Sequence, residues 1–168
     1  AIVEDDPWTP ETLAERFVDA FKRDPRQGYA QGFYGLLKRV SSGRELLSEI
    51  RPDSDKSGAA MRATPIGVYG NLDEVVERAT AQAAITHNTP AGISAAVAAA
   101  LMAHYFVHSV GPQSDLGQWL CDHVPGDWRT PYLQPVGSKG WMSVQAAVTL
   151  VGRATGMSAL LRSCIALT

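Results

Sequence analysis

Apolar residues recur three or four positions apart along most of the chain, and nowhere do polar and β-branched residues alternate over six or more positions. That is the period of helices packed through one face. Thr9-Pro10-Glu11 supplies a cap, a proline for the first helical position and an acid for the first turn. Leu13, Phe17 and Phe21 then follow every four residues until Asp24-Pro25 stops the helix. A second apolar segment runs from about Tyr29 to Val40 and ends at Ser41-Ser42-Gly43; a short third covers about Arg44 to Ile50 before Pro52. Asn71 with Glu74 has the spacing of a capping box and opens a helix to about Ala84, with Leu72, Val75, Val76 and Ala79 on its apolar side. Thr89-Pro90 caps a long segment in the same way, and Ser114 to about Cys121 reads as a further short helix. From Val124 to Gly140, three prolines and three glycines predict a long surface loop, of a length that often carries function. Helical patterning returns from Ser143 to Thr155 and from Met157 to Leu167, split at Gly156. With no Asn-Gly hairpin turn and no internal repeat, the expected fold is all-α, a single domain over residues 1–168.

Composition narrows the class of partner. Of 168 residues, 45% are apolar and 19% charged, which is enough to build a core. Fifteen Lys+Arg against seventeen Asp+Glu leave a formal charge of -2, so neither nucleic acid nor an anionic bilayer is an expected partner. Ala91 to Val110 has no Asp, Glu, Lys or Arg over twenty residues, long enough to span a bilayer. Its Ala, Gly and Ser content, with His104 and His108 near the end, instead predicts a central helix buried among other helices, and no membrane. Cys121 and Cys164 are too few for a disulfide framework and too far apart for a zinc site. Reduced core thiols, and with no basic segment leading an apolar run a cytoplasmic location, are the expectation.

The stretch richest in chemistry is Arg51-Pro-Asp-Ser-Asp-Lys-Ser-Gly-Ala-Ala-Met-Arg62. Asp53 to Gly58 form a loop, and Ala59 to Arg62 can start a helix, so the last loop amides lie at the positive end of a helix dipole. Gly58 leaves room for close backbone approach, Lys56 adds a mobile charge, and Ser54 and Ser57 offer hydroxyl donors. Phosphate or diphosphate would suit such a loop. The same residues also describe a polar loop whose serines merely cap a helix, and spacing alone favours that reading.

The run Ser57-Gly-Ala-Ala-Met-Arg62, then Pro65-Ile66-Gly67 and Thr86-His87, resembles the ADP-ribosylglycohydrolase family, the group of the dinitrogen-reductase-activating glycohydrolase. The resemblance extends over nearly the whole chain, from the Thr9-Pro10-Glu11 helix to Ser143-Val144-Gln145-Ala146-Ala147. It implies an all-α hydrolase that removes ADP-ribose from a modified protein or a small acceptor, using two magnesium ions. The family holds those ions through a Thr-Asp-Asp-Thr run and a Gly-Asp-x-Asp-Thr run, and this sequence has neither. Asp5-Asp6 is a superficial match followed by Pro7. The resemblance therefore implies an internal piece of a longer enzyme: metal ligands and catalytic carboxylates outside these residues, and no activity of the piece alone.

Residue by residue, Ser54, Asp55, Lys56, Ser57 and Gly58 match the family's diphosphate-binding loop, and His87 matches a histidine near the phosphates or ribose of the substrate. Where many relatives carry Tyr-Gly-Asn this chain has Asp55-Lys56-Ser57, so Lys56 is expected to replace an aromatic contact with a charge. Thr86 and Asn88 are placed to orient His87, Met61 to pack, and Arg62 to make a structural ion pair or carbonyl contact. His104 and His108 lie four apart on one helical face; without a third ligand they predict core or interhelical hydrogen bonding. Cys121-Asp122-His123 are sequence neighbours that diverge on a helix and form no catalytic triad. A non-catalytic helical module for an ADP-ribose-like ligand or a protein partner is the competing expectation.

Overall fold

The computed structural model describes residues 2–167, and its regular structure is helical; among these residues the only extended pairings are two isolated bridges. The helices are α1 (Pro10–Arg23), α2 (Gln31–Arg39), α3 (Gly43–Glu49), α4 (Gly58–Ala63), α5 (Leu72–His87), α6 (Pro90–Val107), α7 (Leu116–His123), α8 (Gly140–Arg153) and α9 (Met157–Ile165). Short 3-10 turns follow α4 at Thr64–Val68 and precede α7 at Gln113–Asp115. The caps form as their sequences predict. Thr9 Oγ1 accepts from the Thr12 amide at 3.2 Å, Asn71 Oδ1 from Glu74 at 3.0 Å and Thr89 Oγ1 from Gly92 at 3.0 Å. Each satisfies one amide of a first helical turn.

Helix α6 is the axis of the larger core. Its residues Ala95 to Leu101 are all buried, and α4, α5, α8 and the turn after α4 pack against it. A stretch that is mostly alanine keeps the neighbouring backbones close, while Leu101, Val75, Ile66, Leu116 and Leu120 fill the space between. Burying each such side chain contributes about 1.5–3 kcal/mol. This helix is long and apolar enough to cross a bilayer, yet 56% of it is buried inside the fold. It ends at Val107, earlier than the apolar run suggests. Ser109 takes φ +53, and the Val110 amide turns back to the Tyr105 carbonyl at 2.9 Å.

A second, smaller core lies between α1, α2 and α3, where Ala14, Val18, Phe21, Leu37 and Leu46 are buried. Phe21 sits edge-on to Tyr34 and Tyr29, with ring centres 5.3 and 5.6 Å apart. Helix α9 differs from both cores: none of its residues is buried, and Met157, Leu161 and Ile165 are exposed along one face. The predicted loop at 124–140 is irregular, but it is anchored rather than draped over the surface. Trp128 is 3% exposed, and its indole N–H donates to the Val124 carbonyl at 3.3 Å.

Candidate ligand-binding site

Two separate stretches of chain converge on the loop at 53–58. On one side is the corner between α5 and α6, where Asn88 donates its amide to the Pro52 carbonyl at 2.6 Å and Asp53 pairs with His87 in an antiparallel bridge. Thr89 caps α6 and also donates its hydroxyl to the Ser54 carbonyl at 3.1 Å. Gly92 permits this contact, since a Cβ there would lie 2.8 Å from the carbonyl oxygens of both Ser54 and His87. On the other side is the segment entering α8. Ser57 donates its amide to the Ser138 carbonyl at 3.2 Å, Gly140 donates to the Asp55 carbonyl at 2.8 Å, and Lys56 bridges Lys139. Lys139 also forms an ion pair with the Asp55 carboxylate, holding that carboxyl below its ordinary range.

The six residues predicted for the site, Ser54, Asp55, Lys56, Ser57, Gly58 and His87, are thus brought together. Gly58 has a definite reason to be glycine: a Cβ at that position would sit 3.3 Å from His87 Cε1 and 3.5 Å from Nε2. The missing side chain admits the imidazole. The Lys56 amide turns to Ser54 Oγ at 3.3 Å and the Ser57 amide to Ser138, so both are engaged within the chain. The amides of Gly58, Ala59 and Ala60, in the first turn of α4, have no helical carbonyl behind them. Lys56 is exposed, and Ser54 and Ser57 are half-buried.

Met61 is not packing, as the sequence suggested; it is 75% exposed. In a six-residue helix the single buried face is taken by Ala59, Ala60 and Ala63, and Met61 points away from it. Arg62 does make the expected carbonyl contact, and more besides. Its Nη2 donates to the Gln82 carbonyl at 3.3 Å and to Thr86 Oγ1 at 2.7 Å, while Nε donates to Gln82 Oε1 at 3.0 Å. The Gln82 amide in turn donates to the Ala59 carbonyl at 3.2 Å, and the guanidinium lies 4.8 Å from the Phe17 ring centre. Desolvation brings the Arg62 pKa down to about 10, so it remains a cation at neutral pH.

His87 is 7% exposed, and Thr86 Oγ1 lies 2.6 Å from its Nδ1. Burial, with the Arg62 charge adding to it and Asp55 opposing, lowers its pKa to about 4. The ring is neutral at pH 7. The other histidines serve packing: His104 Nδ1 donates to the Tyr69 carbonyl at 2.9 Å, and its ring lies 4.4 Å from that of His108. Cys121 accepts from the Trp128 amide and His123 Nδ1 contacts the Trp119 carbonyl, so this run is not assembled as a nucleophile and base.

Residues 1–165 match the family model of the ADP-ribosylglycohydrolases. The chain belongs to this family. It is 29% identical to ADP-ribosylhydrolase ARH3 of Xenopus tropicalis over 133 residues, covering 74% of this chain and 38% of that protein. It is 29% identical to the human and 27% to the mouse ADP-ribosylhydrolase ARH3 over 120 residues, covering 67% of this chain and 33% and 32% of theirs. The chain therefore spans about a third of the length of the curated relatives it matches.

Among the described residues no group of three or more His, Cys, Asp or Glu is arranged to hold a metal ion. A pair of divalent cations needs several carboxylates at once, so the residues present do not fit such a centre. Two open cavities among the described residues lie away from the loop. One of about 340 Å³ is lined by Asp5, Trp8, Glu74 and Arg78, and another of about 260 Å³ lies between α8 and α9. The loop itself is clasped on both sides, with the His87 ring packed against Gly58. Sequence reasoning missed the clasp: Ser138, Lys139 and Gly140 carry no motif, and only the expectation that a long loop is functional pointed near them.

Proposed function

We propose that this chain binds the ADP-ribose unit of an ADP-ribosylated protein or of a small ADP-ribose derivative, as the recognition part of an ADP-ribosylhydrolase. The observation that supports this most directly is the seating of Gly58 against His87, which brings two motifs 29 positions apart into one site. The Gly58 and Ala59 amides at the start of α4, the Lys56 ammonium and the Ser54 and Ser57 hydroxyls are the donors for diphosphate oxygens. His87, held neutral, is a donor for a phosphate or ribose oxygen. The reaction is hydrolysis at the anomeric carbon of the distal ribose: water adds there and the acceptor leaves with a proton. What this chain contributes is binding and orientation. Magnesium dependence is proposed for the hydrolase only, and no step is assigned to a metal within these residues.

A second reading, binding without hydrolysis, is favoured by one observation: no carboxylate cluster is assembled among the described residues. Calorimetric titration with ADP-ribose tests the first element of both readings. Binding that Lys56→Ala and His87→Ala each weaken about tenfold supports the site, since one charge-assisted or buried hydrogen bond is lost each time. Affinity unchanged in both variants overturns it. Release of ADP-ribose from arginine-linked and serine-linked peptides, with magnesium and with a chelator, then separates hydrolase from binding module.

A further inference from the structure

Arg62, in the second half of α4, touches neither the loop's exposed edge nor its bridges, yet it is linked to the site through two hydrogen bonds in series. A guanidinium can only donate, so the 2.7 Å contact makes Thr86 Oγ1 an acceptor. The hydroxyl's other hydrogen-bond partner among the described residues is His87 Nδ1 at 2.6 Å, and with the guanidinium donating, donation of the hydroxyl hydrogen to Nδ1 satisfies both contacts. A neutral imidazole that accepts at Nδ1 carries its hydrogen on Nε2. Nε2 is the ring nitrogen on the Gly58 side, 3.5 Å from the space a Cβ would fill.

We infer that Arg62 is a positioning residue: through the Thr86 hydroxyl it fixes the tautomer of His87, so that the turn at Gly58 faces a neutral N–H donor aimed at an anionic or hydroxyl oxygen of the nucleotide. The recipient rests on the proposed function; the state of the ring does not. The charged groups facing the imidazole are the Arg62 guanidinium from α4 and the Asp55 carboxylate from the loop, the latter paired with Lys139. Arg62 repels a proton on the ring and Asp55 attracts one, and burial decides in favour of the neutral form. The arrangement gives selectivity as well as orientation. An N–H donor rewards an acceptor oxygen on the ligand and gives nothing to a ligand that presents a donor there.

The test is to record ring ¹⁵N and ¹H correlations of His87 at pH 7, assigned by its loss in His87→Asn, in the whole chain with and without ADP-ribose. The expected wild-type ring is neutral with its hydrogen on Nε2. Thr86→Val, which keeps the shape and removes the hydroxyl, should give a mixture of tautomers and about tenfold weaker ADP-ribose binding. Thr86→Ser should restore both. Arg62→Lys should loosen the tautomer preference in the same direction while leaving the signals of His104 unchanged. A wild-type ring with its hydrogen on Nδ1, or a ring state indifferent to Thr86→Val, overturns the inference. A wild-type chain with the expected ring that binds no ADP-ribose overturns the nucleotide reading instead, and the relay stands without that recipient.

Discussion

His87 and His104 are both buried histidines near helix ends, 7% and 5% exposed, and both have Nδ1 committed to a neighbour. The neighbours differ in what they can do. The Tyr69 carbonyl can only accept, so His104 spends its Nδ1 hydrogen inside the fold and turns its remaining edge to a nest of rings formed by His108 and Trp119. The Thr86 hydroxyl, already accepting from Arg62, donates to His87, and the hydrogen of that ring is left for something outside. One residue type thus becomes a cross-link in one place and a presented donor in the other. Burial alone does not separate them; the donor and acceptor character of a single partner does.

The strongest way to break this contrast is Arg62→Ala. It strips donors from the Gln82 carbonyl and side chain and from Thr86, and removes the guanidinium from the Phe17 ring. A loss of about 3–4 kcal/mol in urea unfolding is expected, with the His104 signals of the folded protein unchanged. Acidification comes next. The His87 pKa is about 4 in the fold against 6.5 unfolded, so the unfolded chain binds more protons between these values. The stabilisation is complete above pH 6.5 and lost as pH falls through 4, up to about 3 kcal/mol in all. Unfolding curves across this range should lose that slope in His87→Asn and keep it in His104→Asn.

Gly58→Ala sharpens the comparison at smaller cost. The new methyl group meets the imidazole at 3.3 Å, so the ring shifts slightly; about 1 kcal/mol of stability and a measurable part of the ADP-ribose affinity should go with it. Lys139→Ala is the mildest. Its ion pair with Asp55 is partly solvated, so unfolding should barely change, while the Asp55 carboxyl titrates closer to an ordinary carboxylate. Increasing salt in the wild type should move that titration in the same direction.

What could be read from the sequence was mostly local. Thr9, Asn71 and Thr89 lie three residues from the amides they cap, and the capping preference is visible within one turn. The burial of α6 was legible because an alanine-rich run without charge has no better place than among other helices. The loop residues and His87 were legible only through the family's motif, since spacing alone did not join residues 54–58 to residue 87. The Arg62 network was half visible: a carbonyl contact was expected, but its path to His87 depends on α4 lying across the last turn of α5. Nothing in the composition of 136–140 marked it as the second wall of the site, because that role is carried by backbone groups.

The clasp around the loop joins residues 84 positions apart, through Lys139 and Asp55, and the backbone bonds beside it span similar distances. Contacts of such long sequence separation are slow to form and easily outrun by nearby ones. During vectorial synthesis the α1–α3 core has all its partners early, whereas the turn at Gly58 has no second wall until α8 leaves the ribosome. Amide exchange at Ser57 and Gly140 should therefore report a late, cooperative closure, separate from the earlier consolidation of the amino-terminal helices.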